Sequence, residues 1–420
     1  MLTRYYPRIL AAAAVMIFFT NLDVYLFNAE LTKMAPLYLI AAFALAAAPL
    51  YLSKGSLLII GQSPVARWCY GFFMITCLWF LFQPSQSEIA WQELRTRTLS
   101  LAFMLILLSV FSSSEVQIWA RRAIFAMVLL GVGLNVYELF NPQTFSSVLG
   151  RSAGLYVNPN QAGVALILGM ILTITLVPQR YRLLFAVIVG AGVLFTFSRS
   201  AIVGWVICVL VIIKTDQISL RRSLATGFAV AAISVIVISA QWENIQYKLA
   251  DLGVLNSNVM GRLDWFNQPV ASDSSALGRQ EVAAIAYEKF ADSPIFGEGV
   301  GASQRLLIVE GGTEISSHNQ YLNLLVDHGI SGIFILPFLA LALLWQARGE
   351  AKQTGFAFAL FILYIGFFSH NILEERFILL TFSLMAAMAF NSRLQHQPRP
   401  AQPKILFSER LNMADDRGAI

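Results

Sequence analysis

Apolar residues in this chain come in continuous runs and do not alternate with polar ones. Twelve runs stand out: 9–27, 35–53, 66–83, 98–113, 119–139, 160–178, 181–197, 200–214 and 221–240, then, beyond a long polar stretch, 330–347, 354–370 and 374–391. Most approach the roughly 20 apolar residues that a helix needs to cross a bilayer. A transmembrane β-barrel would show period-two alternation, so it is excluded. Helices satisfy their own backbone groups in lipid. The expectation is an all-α, polytopic integral membrane protein with about 12 transmembrane helices and one long external loop. The pair 181–197 and 200–214 also reads as one long helix, which would change the parity.

Composition narrows the class. Of 420 residues, 57% are hydrophobic and 13% charged, against about 25% charged in a soluble domain. Too few polar residues remain to cover a soluble protein of this size, and a disordered or fibrous chain is excluded as well. Net charge is +5, which here reflects basic loops and not nucleic-acid binding. With the N-terminus inside, most of the 29 basic residues fall in the inside segments and the tail, among them Arg121, Arg122, Arg180, Arg182, Arg221 and Arg222. The positive-inside rule then puts both termini in the cytoplasm. Cys69, Cys77 and Cys208 all lie in apolar runs, which argues against a disulfide framework or thiolate metal site. No A-x-A site follows the first run, so it reads as a retained helix.

The expected organisation is nine spans over 1–240, an external loop over 241–329 with short helices carrying part of the active site, three spans over 330–391, and a flexible tail over 392–420 with Pro398, Pro400 and Pro403. Within the loop, Ser275 to Phe290 reads as a helix with Val282, Ile285, Ala286 and Phe290 on one face. The glycines that follow, Gly297, Gly299 and Gly301, permit either an ordinary turn or close approach to a ligand.

Four segments carry candidate chemistry, all on the external side of this topology. GRSAGLYVNPNQAG offers Arg151, Asn158 and Asn160. FSRSA offers Arg199. The loop helix offers Arg279. SSHNQYLNLLVDHG leads His318, Asn319 and Tyr321 into the tenth span. Each has a plainer reading. Arg199 alone fits snorkelling to a lipid phosphate as well as a function. Asn158, Asn160 and His318 fit turn or helix-capping roles. Their agreement on one side favours function. Guanidinium groups bind diphosphate through paired charge-assisted hydrogen bonds, and a neutral histidine takes a proton from a hydroxyl. No D-x-D pair, P-loop or H-E-x-x-H occurs, so no metal or cofactor is expected. His370, with Asn371, Glu374, Glu375 and Arg376, reads as a structural ion-pair group before a site. Asp23 reads either as a proton site or as a partner of Asn21.

The order and wording of GRSAGLYVNPNQAG, FSRSA, GRQEVAAIAYEKFADSPIFGEGVGAS and SSHNQYLNLLVDHGISG resembles the O-antigen ligase and O-antigen polymerase superfamily, over residues 150–335. The resemblance implies a twelve-span, metal-independent glycosyltransferase of the bacterial inner membrane. Such enzymes move a glycan from undecaprenyl diphosphate to a hydroxyl acceptor on the periplasmic face. By position, Arg151, Arg199 and Arg279 would surround the diphosphate and His318 would be the base. Ala283 stands where many members have Trp. The leading reading is a ligase acting on lipid A-core. The alternative is a polymerase extending lipid-linked repeat units, and a third is a lipid-linked sugar flippase or transporter. The implied partners are the lipid-linked donor, lipid A-core or another lipid-linked glycan, and membrane lipid.

Overall fold

The computed structural model describes residues 2–83, 86–218, 274–306, 308–310, 313–315 and 317–396, with the backbone alone at 2–4, 274–279, 305–306 and the two short strands. The predicted run 221–240, the first part of the loop, and the tail beyond 396 lie outside the described residues. So do the residues 84–85.

Eleven of the predicted runs coincide with helices. The first half of the chain holds α1 (Leu2–Ala14), α2 (Leu22–Asn28), α3 (Pro36–Tyr51), α4 (Lys54–Gln62), α5 (Pro64–Phe82), α6 (Glu88–Val110) and α7 (Ser114–Phe140). Then come α8 (Pro159–Thr173), α9 (Arg182–Phe195), α10 (Arg199–Lys214), α11 (Ser274–Asp292), α12 (Gln320–His328), α13 (Ile335–Trp345), α14 (Gly349–Ile365) and α15 (Arg376–Gln395). The described residues are helical except for loops and one antiparallel hairpin, β1 (Ile308–Glu310) and β2 (Thr313–Ile315), in register Ile308↔Ile315.

Among the described residues, five helical segments are long and apolar enough to cross a membrane: Pro64–Phe82, Ser114–Phe140, Pro159–Leu176, Gln320–Trp345 and Arg376–Gln395. The number rises to seven if two bent pairs each count as one span. One is the predicted run 9–27. It is not a single rod: α1 passes through a π-helical turn, Val15–Phe19, and bends 47° into α2 at Asn21, whose φ is 58°. The other is α3 with α4, bent by 103°. The helix over Lys54–Gln62 lies between the predicted runs 35–53 and 66–83. Its Leu57-Leu58-Ile59-Ile60 stretch was too short to register as a span, and Ser53 caps it by accepting from Ser56 N. The runs 181–197 and 200–214 are two helices. α9 and α10 are separated by a tight turn in which Phe197 has φ 47°.

The centre of the bundle is α8 and α15. Nearly every residue of each is buried, as expected of helices apolar on all sides. Close approach around α8 depends on small residues: a Cβ at Gly163 would lie 2.6 Å from Ala201, and one at Gly192 would lie 2.8 Å from Val132. The predicted loop helix is present as α11, and Val282 and Ala286 bury against Ala302 and Val326.

Candidate active site

The site grows from a loop that one carboxylate organises. Glu138, near the end of α7, is buried. One of its oxygens accepts from Phe145 N (3.0 Å) and Ser146 N, the other from Ala153 N (2.7 Å) and Gly154 N (3.1 Å). Four backbone donors that would otherwise be orphaned within the fold are thereby satisfied. This holds the segment bearing Arg151 against the bundle. Arg151 is 5% exposed. Its Nε donates to Thr196 O (2.9 Å) in the α9–α10 turn, and Nη2 donates to Asn160 Oδ1 (2.9 Å). The guanidinium plane thus joins the first two predicted segments.

Beside this junction lies a cavity of about 70 Å³, lined among others by Asn158, Asn160, Gln161, Ser200, His318, Ser369, His370, Asn371 and Glu375. Four helices begin at or next to it. Asn158 caps α8 by accepting from Asn160 N (2.9 Å). Arg199, half-buried, is the first residue of α10, beside Ser200. Asn319 caps α12 by accepting from Tyr321 N and Leu322 N. Glu375 stands at the N-cap of α15. Helix starts carry unsatisfied N–H groups and the positive end of the helix dipole, the arrangement that receives anions. His318 precedes the Asn319 cap with φ 49°, and its ring lies edge-on to His370, centroids 5.0 Å apart.

The structure therefore brings together Asn158, Asn160 and His318 in one cavity, with Arg151 bonded to Asn160 and Arg199 next to a lining residue. Tyr321 is placed otherwise. Its hydroxyl donates to Leu363 O (3.0 Å) and its ring packs on Phe367, so it binds α12 to α14. Asn319 acts as a cap. Arg279 has a described backbone, at the start of α11, and a side chain outside the described residues.

Several lining residues were not singled out in the sequence. Gln161 closes the Asn-Pro-Asn-Gln helix start, and that start is its signal in the sequence. The sequence favours an ion-pair group at His370, whereas the fold seats its ring against His318. Burial lowers its pKa and favours the neutral imidazole. The ion pair near it is Arg376 Nη1 to Asp23 Oδ2 (3.0 Å), so the partner of Asp23 is Arg376 and not Asn21. Glu375 accepts at Oε1 from Asn371 Nδ2 (2.7 Å) and from Gln161 Nε2.

A second cluster sits behind the first. Arg97 of α6 donates from Nε to Glu93 Oε1 (2.7 Å), from Nη1 to His328 Nε2 (2.7 Å) and from Nη2 to Asp327. Asp327 Oδ1 accepts from Ser303 N (2.8 Å). This fixes the far end of α12 and the chain following the glycine-rich turn onto α6. The glycines serve that packing. A Cβ at Gly297 would lie 2.5 Å from Gly329 N, and one at Gly301 would lie 3.2 Å from Ala90 Cα. His370 lines the small space between the two clusters, together with Glu93, Arg97 and Glu374.

Residues 184–337 match the family described as O-antigen ligase. The matched stretch includes Arg199, Arg279, His318, Asn319 and Tyr321. Arg151, Asn158 and Asn160 precede it, and the fold joins them to it through Thr196. No curated protein matches the chain.

Proposed function

From the match of residues 184–337 to the O-antigen ligase family, we propose that the chain belongs to that family and is a bacterial inner-membrane ligase moving a glycan from undecaprenyl diphosphate to a hydroxyl of lipid A-core. The observation that carries the reading is the polar cavity where α8, α10, α12 and α15 begin, with paired imidazoles inside and Arg151 at its edge. Helix starts and guanidinium groups suit a diphosphate leaving group. A neutral imidazole suits proton removal from an incoming hydroxyl.

In this reading Arg151 and Arg199 hold the diphosphate, with Asn158 and Asn160 beside it. His318 takes the acceptor proton as the hydroxyl oxygen bonds to the anomeric carbon. The carbon–oxygen bond to the diphosphate breaks in the same displacement. Arg279, ahead of the glycine-rich turn, closes over the donor and meets the charge developing on the departing group. The arginines do the neutralising work of a metal, so transfer needs none. In this reading the twelve apolar runs are twelve spans, and the distribution of basic residues supports cytoplasmic termini with the cavity on the periplasmic face.

The test is an assay with purified protein in detergent, a lipid-diphosphate glycan, and two acceptors offered separately: lipid A-core and a second lipid-linked repeat unit. The expected product is glycosylated lipid A-core, formed equally well after EDTA treatment. Chain extension of the lipid-linked unit alone would identify a polymerase. A strict requirement for added Mg²⁺ or Mn²⁺ would contradict the arginine mechanism.

A further inference from the structure

The cavity that suits an anion already contains one. Of the side chains lining it, Glu375 is the acidic one. It occupies the N-cap position of α15, yet its side chain does not cap that helix. It reaches across to α8 instead, and its Oε1 takes the amide donors of Gln161 and Asn371. Those amides, beside the helix starts, are the kind of N–H donors that diphosphate oxygens would use.

We propose that the Glu375 carboxylate is an internal anion standing in the place of the donor's diphosphate oxygens, and that it yields that place by taking up a proton when the donor binds. The inference rests on the diphosphate reading of the cavity and adds the positioning residue that governs entry. The chemistry is one protonation: the carboxylate gains a proton from solvent and becomes a neutral acid, able to donate a hydrogen bond to a phosphate oxygen. No bond between heavier atoms changes.

Electrostatics supports the assignment. Glu375 lies in the connection between α14 and α15. Burial pushes its pKa up to about 7, and the charge of Asp23 adds to this. Arg376 and the Asn371 hydrogen bond oppose the rise. The neutral form is therefore accessible near neutrality, where an ordinary glutamate would be ionised. Other titratable or charged groups bear on the same site: His318 and His370 line the cavity with Glu375, Glu374 lies in the adjoining space, Arg376 pairs with Asp23 beside it, Arg151 bonds to the lining residue Asn160, and Arg199 precedes the lining residue Ser200. They and the diphosphate itself also contribute to the pH dependence of binding. The test therefore compares proteins that differ only at Glu375.

Farnesyl diphosphate is the probe, measured by calorimetry on the full chain in detergent at pH 6 and pH 8. Glu375→Gln keeps the side-chain length and removes the charge. It is expected to match the wild type at pH 6 and to bind about tenfold more tightly at pH 8, because one pH unit above a pKa near 7 leaves about a tenth of the wild type protonated. Equal affinities at both pH values would overturn the inference. If Glu375→Gln does not fold, wild-type titrations at pH 7 in buffers of different ionisation enthalpy replace it. Net proton uptake is expected, and none would overturn the inference. Arg151→Ala separates the two readings. Loss of binding there with no effect at Glu375 sinks the internal anion alone. Absence of binding by the wild type sinks the diphosphate site and this inference with it.

Discussion

Arg151 shows why residue chemistry matters more than charge at this site. Its guanidinium donates in two directions, to a backbone carbonyl of the α9–α10 turn and to Asn160. A lysine keeps the charge but loses the planar fork. Arg151→Lys is expected to raise the KM for a lipid-diphosphate donor by roughly tenfold, with a smaller change in kcat, in steady-state assays. His318 stands on the other side of the cavity. Ser317 is engaged with Asn323 and Asn319 caps the helix, and the ring of His370 lies edge-on to the imidazole. His318→Ala is expected to lower the transfer rate by roughly two to four orders of magnitude, while protein level and farnesyl diphosphate binding persist. Near-normal turnover would remove His318 from its role as base.

At the scale of elements, the site depends on loops that buried polar groups hold against helices. Glu138 is the clearest case, because one carboxylate accepts four backbone N–H groups of the segment leading to Arg151. Glu138→Ala leaves those donors without an acceptor, at about 1–3 kcal/mol for each one that water cannot reach. The expected result is a lowered Tm and a donor affinity reduced about as far as in Arg151→Lys, read by thermal unfolding and by calorimetry. A variant with unchanged donor affinity would show that this segment does not position Arg151. The Arg97 cluster plays the corresponding part at the far end of α12, where it fixes the helix whose start carries His318.

For the whole molecule, the notable cost is a set of acids gathered behind the cavity. Burial and the charge of Glu93 push the pKa of Glu374 up to about 8, against the opposing pull of Arg97. In the unfolded chain it titrates near 4.5. An acid whose folded pKa is raised imposes no penalty below its unfolded pKa, and an increasing one as pH climbs toward the folded value. Stability should therefore fall between about pH 5 and pH 8. Thermal unfolding in detergent across that range is the measurement, with Glu374→Gln as the comparison. The variant should show a flatter dependence, and parallel curves would show that Glu374 does not contribute to it.

Membership of the helical class, the positions of most helices, and the four segments bearing candidate chemistry were legible in the amino-acid sequence. The reason is that each is a local property. A helix in lipid must be apolar along its own length, and a helix start or tight turn needs particular residues at adjacent positions, such as Asn158 before Pro159 or Asn319 before Gln320. What required the tertiary structure were properties of pairs distant in the chain. Nothing local distinguishes Glu138 as the organiser of a loop, Asp23 as the partner of Arg376, or His370 as the neighbour of His318. The bend at Asn21 and the short helix over Lys54–Gln62 were likewise obscured, because hydropathy averages over a whole run and does not register where the backbone turns. Four separate helix starts become the lining of one polar cavity only when α8, α10, α12 and α15 pack together, and that convergence is decided by the small residues and shapes along their faces.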